Sequence, residues 1–517
     1  MSNVEGGKPM VRRNTGVELV PRPSESPLDP LNWPQWKKEL AFGSLVLGSA
    51  VIGVLKTILV TVNGVISTEL NCSYMAATAL TGLPLIIGAF SGLGSTILAQ
   101  KVGKRGIYLA SSLLLLGGAI WNMHVEQSYA QFMVSRLFQG IAWGAFESLV
   151  LTSFKDMFFV HQRPRHVVMY NISNIFFTWG TPILGGYLSQ DAQGFRNQIM
   201  AINIIQAFSV VLLIFATPET TFSRSTSTST SQSSITTMIS APSAGKFKSY
   251  LSTLRFPIPS TSSTSKSETA RPLRALAAPT TLLTFLLTGP PTATALALAS
   301  TLSLLFSSMP TFLFPARIGY LFIAPAILSL VLYTASSFLI SPRTSRSKPA
   351  TAHPFLIAIP ALILSFAGAV AFGLYTYNQL MATTRAKGGE ATLYVQGQDL
   401  SLQIVSVLFG LLVSGAVLVN AAGVSILSHT LTSTSSSSSS STEETHHQAQ
   451  DSASSALQSA HALHQDLLSG LFIIAMPLWV KSGADMLAGL KDAAIALAVL
   501  QVVLGSSVAA LLWVQGR

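Results

Sequence analysis

Apolar runs of membrane-spanning length recur through most of this 517-residue chain, which leaves few folds open to it. A hydrocarbon core about 30 Å thick takes about 17–25 apolar residues per helical crossing. Twelve such runs lie at 40–64, 76–98, 106–124, 130–153, 167–188 and 197–217, then at 279–305, 316–340, 354–378, 400–427, 457–480 and 490–514. In hydrocarbon, backbone groups must be satisfied within the segment, so these runs read as helices. Only 10% of residues are charged, against about 25% in a soluble domain. The expectation is an all-α membrane protein with 12 transmembrane helices.

The intervening segments divide the runs six and six. Residues 1–39 are polar and Pro-rich, lack the apolar h-region of a signal peptide, and read as a disordered cytosolic tail. Trp33 and Trp36 beside Lys37 and Lys38 suit an interfacial anchor ahead of the first helix. Residues 218–278 are rich in Ser and Thr and have too little apolar surface to fold alone. They are expected to be a cytosolic linker between an N-terminal half, 40–217, and a C-terminal half, 279–517. A second Ser-rich loop, 432–450, separates the tenth and eleventh runs. Two six-helix blocks around one linker point to structural repeats.

Charge placement sets the orientation. The formal net charge is +11, but no basic helix or RNA-type motif accompanies it, so nucleic acid is not an expected partner. Lys101, Lys104 and Arg105 follow the second run, Lys155, Arg163 and Arg165 the fourth, and Arg343, Arg346 and Lys348 the eighth. These loops share one side with the linker and the N-terminus, which places both termini in the cytosol. Asn71-Cys72-Ser73 then falls outside, where Asn71 is a candidate N-glycosylation site. Asn171-Ile172-Ser173 fits the same pattern inside a span, beyond the reach of the modifying enzyme. One cysteine, Cys72, excludes an intramolecular disulfide framework and a multi-cysteine metal site.

The best-marked stretch is Arg136–Gly186. An ionisable group at bilayer depth costs roughly 2.5–3.5 kcal/mol on insertion scales, so one that stays faces protein or a polar cavity. Arg136, Gly140, Trp143 and Glu147 follow an i, i+4, i+7, i+11 spacing and draw one stripe, which reads as the inner wall of a bundle. Arg136 and Glu147 are about 16 Å apart along the helix, too far for a direct pair. Glu147 therefore needs either another partner, for which Lys56 in the first run is the candidate, or desolvation that disfavours its charged form. Lys56 itself reads as a cavity cation or as a side chain snorkelling to an interface. Gly289-Pro290-Pro291 in the seventh run reads as a helix break beside a substrate site or as a plain kink. His446-His447 in the Ser-rich tract is more often solvated than metal-binding. No GxGxxG, Walker A or nucleophile elbow occurs, so ATP drive and hydrolysis are unsupported and no cofactor or metal is expected.

Together these features resemble the major facilitator superfamily, and within it fungal twelve-span drug:proton antiporters. Lys101, Gly103, Lys104 and Arg105 match the second half of the family's loop pattern Gly-x-x-x-Asp-Arg-x-Gly-Arg-Arg, with Thr96 and Gln100 at its Gly and Asp. Arg136-Leu-Phe-Gln139-Gly140 matches Arg-x-x-Gln-Gly, and Asp156 and Arg163 match the loop acid and the Arg seven residues further on. Pro182-Ile-Leu-Gly185-Gly186 resembles the end of the antiporter motif Gly-Pro-x-x-Gly-Gly, with Thr181 at its first Gly. Asp29-Pro-Leu-Asn32-Trp33-Pro34 also fits the fungal group. Around His461, His464 and Asp466 the family would show an Arg-Asn pair, so the second half is the more divergent.

The resemblance implies two six-helix halves rocking about a central cavity, with small-molecule substrate, protons and the lipid bilayer as partners. It implies a monomer, in the plasma membrane, that exports a drug, toxin or secondary metabolite and is not an enzyme. Glu147, Arg136 and Lys56 are the expected coupling residues. Lys101, Gly103, Lys104, Arg105, Asp156 and Arg163 form the expected cytosolic gate. Two other readings stay open: a proton-coupled importer of a nutrient or polyamine, which needs more cavity acids than Glu147 and Asp466, and a transporter-derived receptor or sensor.

Overall fold

The computed structural model describes residues 29–125, 128–190, 194–222, 271–307, 311–340, 352–386, 401–435, 443–482 and 486–515, with positions 20, 21, 23, 24 and 26 ahead of them. Regular structure among the described residues is helical throughout. The first half comprises α1 (Gln35–Thr57), α2 (Asn63–Glu69), α3 (Tyr74–Val102), α4 (Lys104–Met123), α5 (Tyr129–Met157), α6 (Arg163–Leu188) and α7 (Arg196–Ala216). The second comprises α8 (Arg271–Leu276), α9 (Pro279–Phe306), α10 (Pro315–Tyr320), α11 (Ile323–Ile340), α12 (Ala352–Ala386), α13 (Leu402–Ser435), α14 (Glu443–Ser482) and α15 (Met486–Gln515). Ten helices among the described residues are long and apolar enough to cross a membrane, α10 and α11 counting as one. The other two expected crossings, α5 and α6, have the length, 29 and 26 residues, but are more polar.

Lipid tails are as apolar as Leu, so close packing and hydrogen bonds, more than exclusion from water, hold such helices together. The two halves meet where α3 packs on α14, α6 on α10 and α11, and α2 on α9. One buried cluster runs through both and includes Leu55, Trp143, Phe146, Leu298, Phe306 and Phe409.

Three expectations change, and one open alternative is decided. The tail expected to reach residue 39 is structured from Asp29: a 3-10 turn at Pro30–Asn32 is capped by the Asp29 carboxylate, which accepts from Leu31 N at 3.0 Å. Trp33 is accordingly buried, with Lys37 Nζ 4.3 Å from its ring, while Trp36 stays 60% exposed, as an interfacial residue would. Residues 1–19 lie outside the described residues.

The first crossing is broken. α1 stops at Thr57, one residue past Lys56, and buried turns lead through 58–62 to α2. Irregular backbone at this depth needs partners in protein. Here α9 of the other half supplies them: Ser303 Oγ donates to Thr61 O at 2.9 Å, and Asn63 Nδ2 donates to Ser300 O at 2.9 Å. Conversely, Gly289-Pro290-Pro291 does not break α9, which is helical from Pro279 to Phe306. Finally, the Ser-rich loop expected at 432–450 is flanked more closely by helix, since α13 runs to Ser435 and α14 begins at Glu443. The Ala, Gln and Glu content of residues 443–465 favours helix over a solvated loop. Most of the linker, the loops around 343–348 and the residues 436–442 lie outside the described residues, as do the side chains of His446 and His447.

Candidate functional site

Three helices bring ionisable groups to the centre. Lys56 lies in the last turn of α1, Glu147 on α5 and Asp466 on α14, so the cluster joins both halves. Lys56 Nζ pairs with Glu147 Oε1 and lies 3.1 Å from Asp466 Oδ1. The side chains keep 19%, 16% and 11% of their surface accessible, so the cluster borders internal space and is not sealed in packing. One ammonium facing two carboxylates leaves one net negative charge when both acids are ionised, and none after one proton binds. Lys56 is therefore a central cation and not a snorkelling one.

Polar groups on α6 continue the site. Ser49 Oγ lies 3.2 Å from both Tyr170 OH and Asn174 Oδ1, and Thr57 Oγ1 donates to Thr178 O at 2.6 Å. Asn171 Nδ2 donates across the halves to Tyr333 OH at 2.7 Å. On α14, His461 Nε2 lies 2.8 Å from Thr288 Oγ1, and Gln465 Nε2 donates to Thr292 Oγ1 at 2.9 Å. Sequence reasoning passed over Tyr170, Asn174 and Tyr333. Their signal was a row of polar residues at helical spacing inside an apolar run.

Arg136 does not belong to this cluster. Its Nε and Nη2 donate to the carbonyl oxygens of Leu80 and Leu55, each at 3.0 Å, and its Nη1 donates to Gln139 Oε1 at 2.9 Å. Gly140 lies against Pro84 of α3, where a Cβ would come within 2.7 Å of Pro84 Cα. The expected stripe thus divides: Arg136, Gly140 and Trp143 pack inside the first half, and only Glu147 reaches the centre. The cause is packing along α5, which abuts α3 and α4 and also meets α14.

The basic loops form a second set of contacts on one face. Gly103 turns the chain between α3 and α4 at φ +86°, a conformation that disfavours other residues. Lys104 Nζ meets Asp156 Oδ2 at 2.5 Å. The carboxylate of Glu219 accepts from the backbone N–H groups of Lys104 (3.1 Å) and Arg105 (3.0 Å), a charge-assisted cap at the N-terminus of α4. Arg105 also donates from Nη2 to Ile214 O at 3.2 Å, and Lys101 is exposed, with no ion pair among the described residues. Arg163 departs from the expected grouping. It reaches α14, donating from Nη1 and Nη2 to the two Asp451 oxygens at 3.0 Å each, and holds Lys155 O and Phe158 O as well. Lys155 Nζ adds Ser454 Oγ at 2.7 Å and Gln458 Oε1 at 3.1 Å. Glu219, Asp451, Ser454 and Gln458 were missed from sequence. The last three share an i, i+3, i+7 spacing, but they lay next to a stretch read as loop.

With this geometry in place, comparison with known proteins decides the family. A profile of the Major Facilitator Superfamily matches residues 45–460. The chain belongs to this superfamily, and it is a multi-pass membrane protein. It is 28% identical over 226 residues to Protein HOL1 of Saccharomyces cerevisiae, covering 43% of this chain and 38% of that one. It is 26% identical over 155 residues to MFS antiporter QDR3 of Candida albicans, covering 30% of this chain and 22% of that one. The alignments therefore span well under half of either relative. Among solved structures, the crystal structure of the human organic anion transporter MFSD10 has the same fold, with a TM-score of 0.52 and 14% identity over 92% of this chain and all of that one.

In this superfamily member the antiporter-like segment Pro182–Gly186 lies on the face opposite the basic loops. A Cβ on Gly186 would sit 2.4 Å from Pro315 O of the other half, and one on Gly319 would sit 2.9 Å from Pro182 O. Gly185 instead faces Gln198 of α7. The motif is thus a place of very close approach between α6 and α10. Asn71 is exposed on the turn before α3, at φ +46°. Its neighbour Cys72 is half-buried, and burial pushes its thiol pKa above the ordinary value.

Proposed function

We propose that this transporter exchanges protons for a small amphipathic organic compound bearing one positive charge, and that it works as an exporter. The observation that carries this reading is the Lys56–Glu147–Asp466 cluster, with one cation between two carboxylates contributed by both halves. A proton or a substrate ammonium can each cancel the single excess negative charge, so the two compete. The aromatic and amide groups of Tyr170, Asn171, Asn174 and Tyr333 suit an organic body next to that charge. Export is supported by the Pro182–Gly186 segment and by the similarity to the Candida albicans relative, which is named an antiporter. The nutrient or polyamine importer needs more acids than these two, and Lys56 already neutralises one of them.

On this reading the basic face is cytosolic, with both termini on that side, and Asn71 is external in the plasma membrane. Residues 40–217 and 279–517 are the two rocking halves, and the contacts of Asp156, Lys104 and Arg163 close the cytosolic side. The test is thermal protection of the purified full-length protein by amphipathic compounds matched in size but cationic, neutral or anionic. Cations should protect, and less so as pH falls. Equal protection by all three classes, or cation protection that grows at low pH, would refute the reading.

A further inference from the structure

The interior of the first half holds a positive charge that its surroundings do not neutralise. Arg136 is 1% exposed, and no carboxylate pairs with it among the described residues. Its three acceptors are neutral, two backbone carbonyls and the Gln139 amide oxygen. A guanidinium has five N–H donors, so these three bonds leave two. The Trp143 ring, 5.5 Å away, offers its face but no full charge. A buried ion without a counter-charge is far costlier than a buried neutral group, and the protein can relieve that cost by binding an ion of opposite sign.

A small cavity lies beside the guanidinium. Arg136, Gln139, Asn122 and Asn203 line it, with Leu55 and Phe132 among its apolar walls. Most of its wall is apolar, and the few polar groups that reach it are mainly donors. The Gln139 oxygen is taken by Arg136 and the Asn122 oxygen by Ser135, which leaves the NH2 groups of both amides to donate. Asn203 differs, since its nitrogen donates to Ala119 O at 2.9 Å. A water molecule needs acceptors as well as donors, whereas an anion needs donors and an adjacent positive charge. The central cluster lies elsewhere: Glu147 is three helical turns further along α5, about 16 Å from Arg136.

We infer that this cavity is a binding site for a small monovalent inorganic anion of halide size, held by Arg136 with the Asn122 and Gln139 amides. The anion would sit among α1, α4, α5 and α7, whose residues line the cavity. The inference uses different residues from the transport reading and stands or falls separately from it.

Thermal unfolding of the purified full-length protein tests it, with chloride or bromide replacing gluconate at constant ionic strength. The midpoint should rise saturably with either halide, and the half-saturating concentration should increase at least tenfold in Arg136→Gln. Crystals of the wild type soaked in bromide should show an anomalous peak in contact with the guanidinium, a measurement that holds even if the variant does not fold. The proposal is overturned if the wild-type midpoint is the same in gluconate and halide, if the halide shift persists unchanged in Arg136→Gln, or if no bromide peak lies at Arg136.

Discussion

Glu147→Gln is the perturbation that separates coupling from binding. The substitution keeps the size and most of the hydrogen-bonding capacity of the side chain while removing its charge. In the wild type, Lys56 faces Glu147 and Asp466, so the site changes by one unit of charge when one proton binds. Exchanging one proton for one monovalent cation moves no net charge across the membrane. A gradient of one pH unit is then worth about 1.36 kcal/mol and sustains at most about a tenfold substrate ratio. In the variant, Lys56 and Asp466 remain as a neutral pair, 3.1 Å apart, with no excess carboxylate to titrate. The sustained ratio should fall towards one, while counterflow, which requires no net proton movement, continues but needs a higher cation concentration, because the excess charge that attracts the cation is gone. Proteoliposomes loaded with the most protective cation from the charge-matched panel, under an imposed pH gradient, measure both quantities. A variant that sustains the wild-type ratio removes Glu147 from the mechanism; loss of counterflow together with the gradient response makes Glu147 a binding group and not a coupling one.

Two further substitutions test the faces where the halves meet. Arg163→Ala should open the basic face, because it deletes both 3.0 Å bonds to Asp451. The side chains are 16% and 37% exposed, so the loss falls between that of a surface pair and that of a buried one, about 1–3 kcal/mol. Lower cross-linking between cysteines placed on α6 and α14 at that face is the expected readout. The swap Arg163→Asp with Asp451→Arg should restore it, and unchanged cross-linking in the single variant refutes the clamp. Gly186→Leu should prevent closure of the opposite face, since even a Cβ there comes within 2.4 Å of Pro315 O. Labelling of introduced cysteines on that face should rise, against a low background from Cys72, whose raised thiol pKa leaves little thiolate at neutral pH. Wild-type labelling would show that the contact is not part of the gate.

Much of the architecture was legible because length and hydropathy are properties of single segments. Helix positions followed from apolar runs, and Lys56 and Glu147 stood out because charges inside such runs are rare. Contacts between segments were harder to read. The stripe through Arg136 and Glu147 is real as periodicity, yet periodicity does not say which neighbour each turn of α5 meets. The break after Lys56 is marked only by Asn63-Gly64, a turn dipeptide at the very end of the apolar run 40–64. The start of α14 is hard to read because the Ser-rich composition before it masks the Ala, Gln and Glu that follow. Asp451, Ser454 and Gln458, the partners of Arg163 and Lys155, lie at that boundary.

On the proposed exchange reading, those residues give α14 a particular place in the cycle. Asp451, Ser454 and Gln458 contact the first half at the basic face, and Asp466 on the same helix reaches Lys56 at the centre. Fifteen residues separate the two acids, about 22 Å along a helix. A helix is stiff over that distance, so a change at one end displaces the other. If a proton or cation at Glu147 and Asp466 weakens the attraction to Lys56, α14 gains freedom to move relative to α1 and α5, and the Asp451–Arg163 contact lies on the same lever. Protonation then biases the basic-face clamp through rigid-body motion, with no separate relay between the two sites. The broken first crossing favours the same motion: Lys56 sits one residue before the end of α1, and the chain beyond it is anchored to α9 of the other half by Asn63 and Ser303.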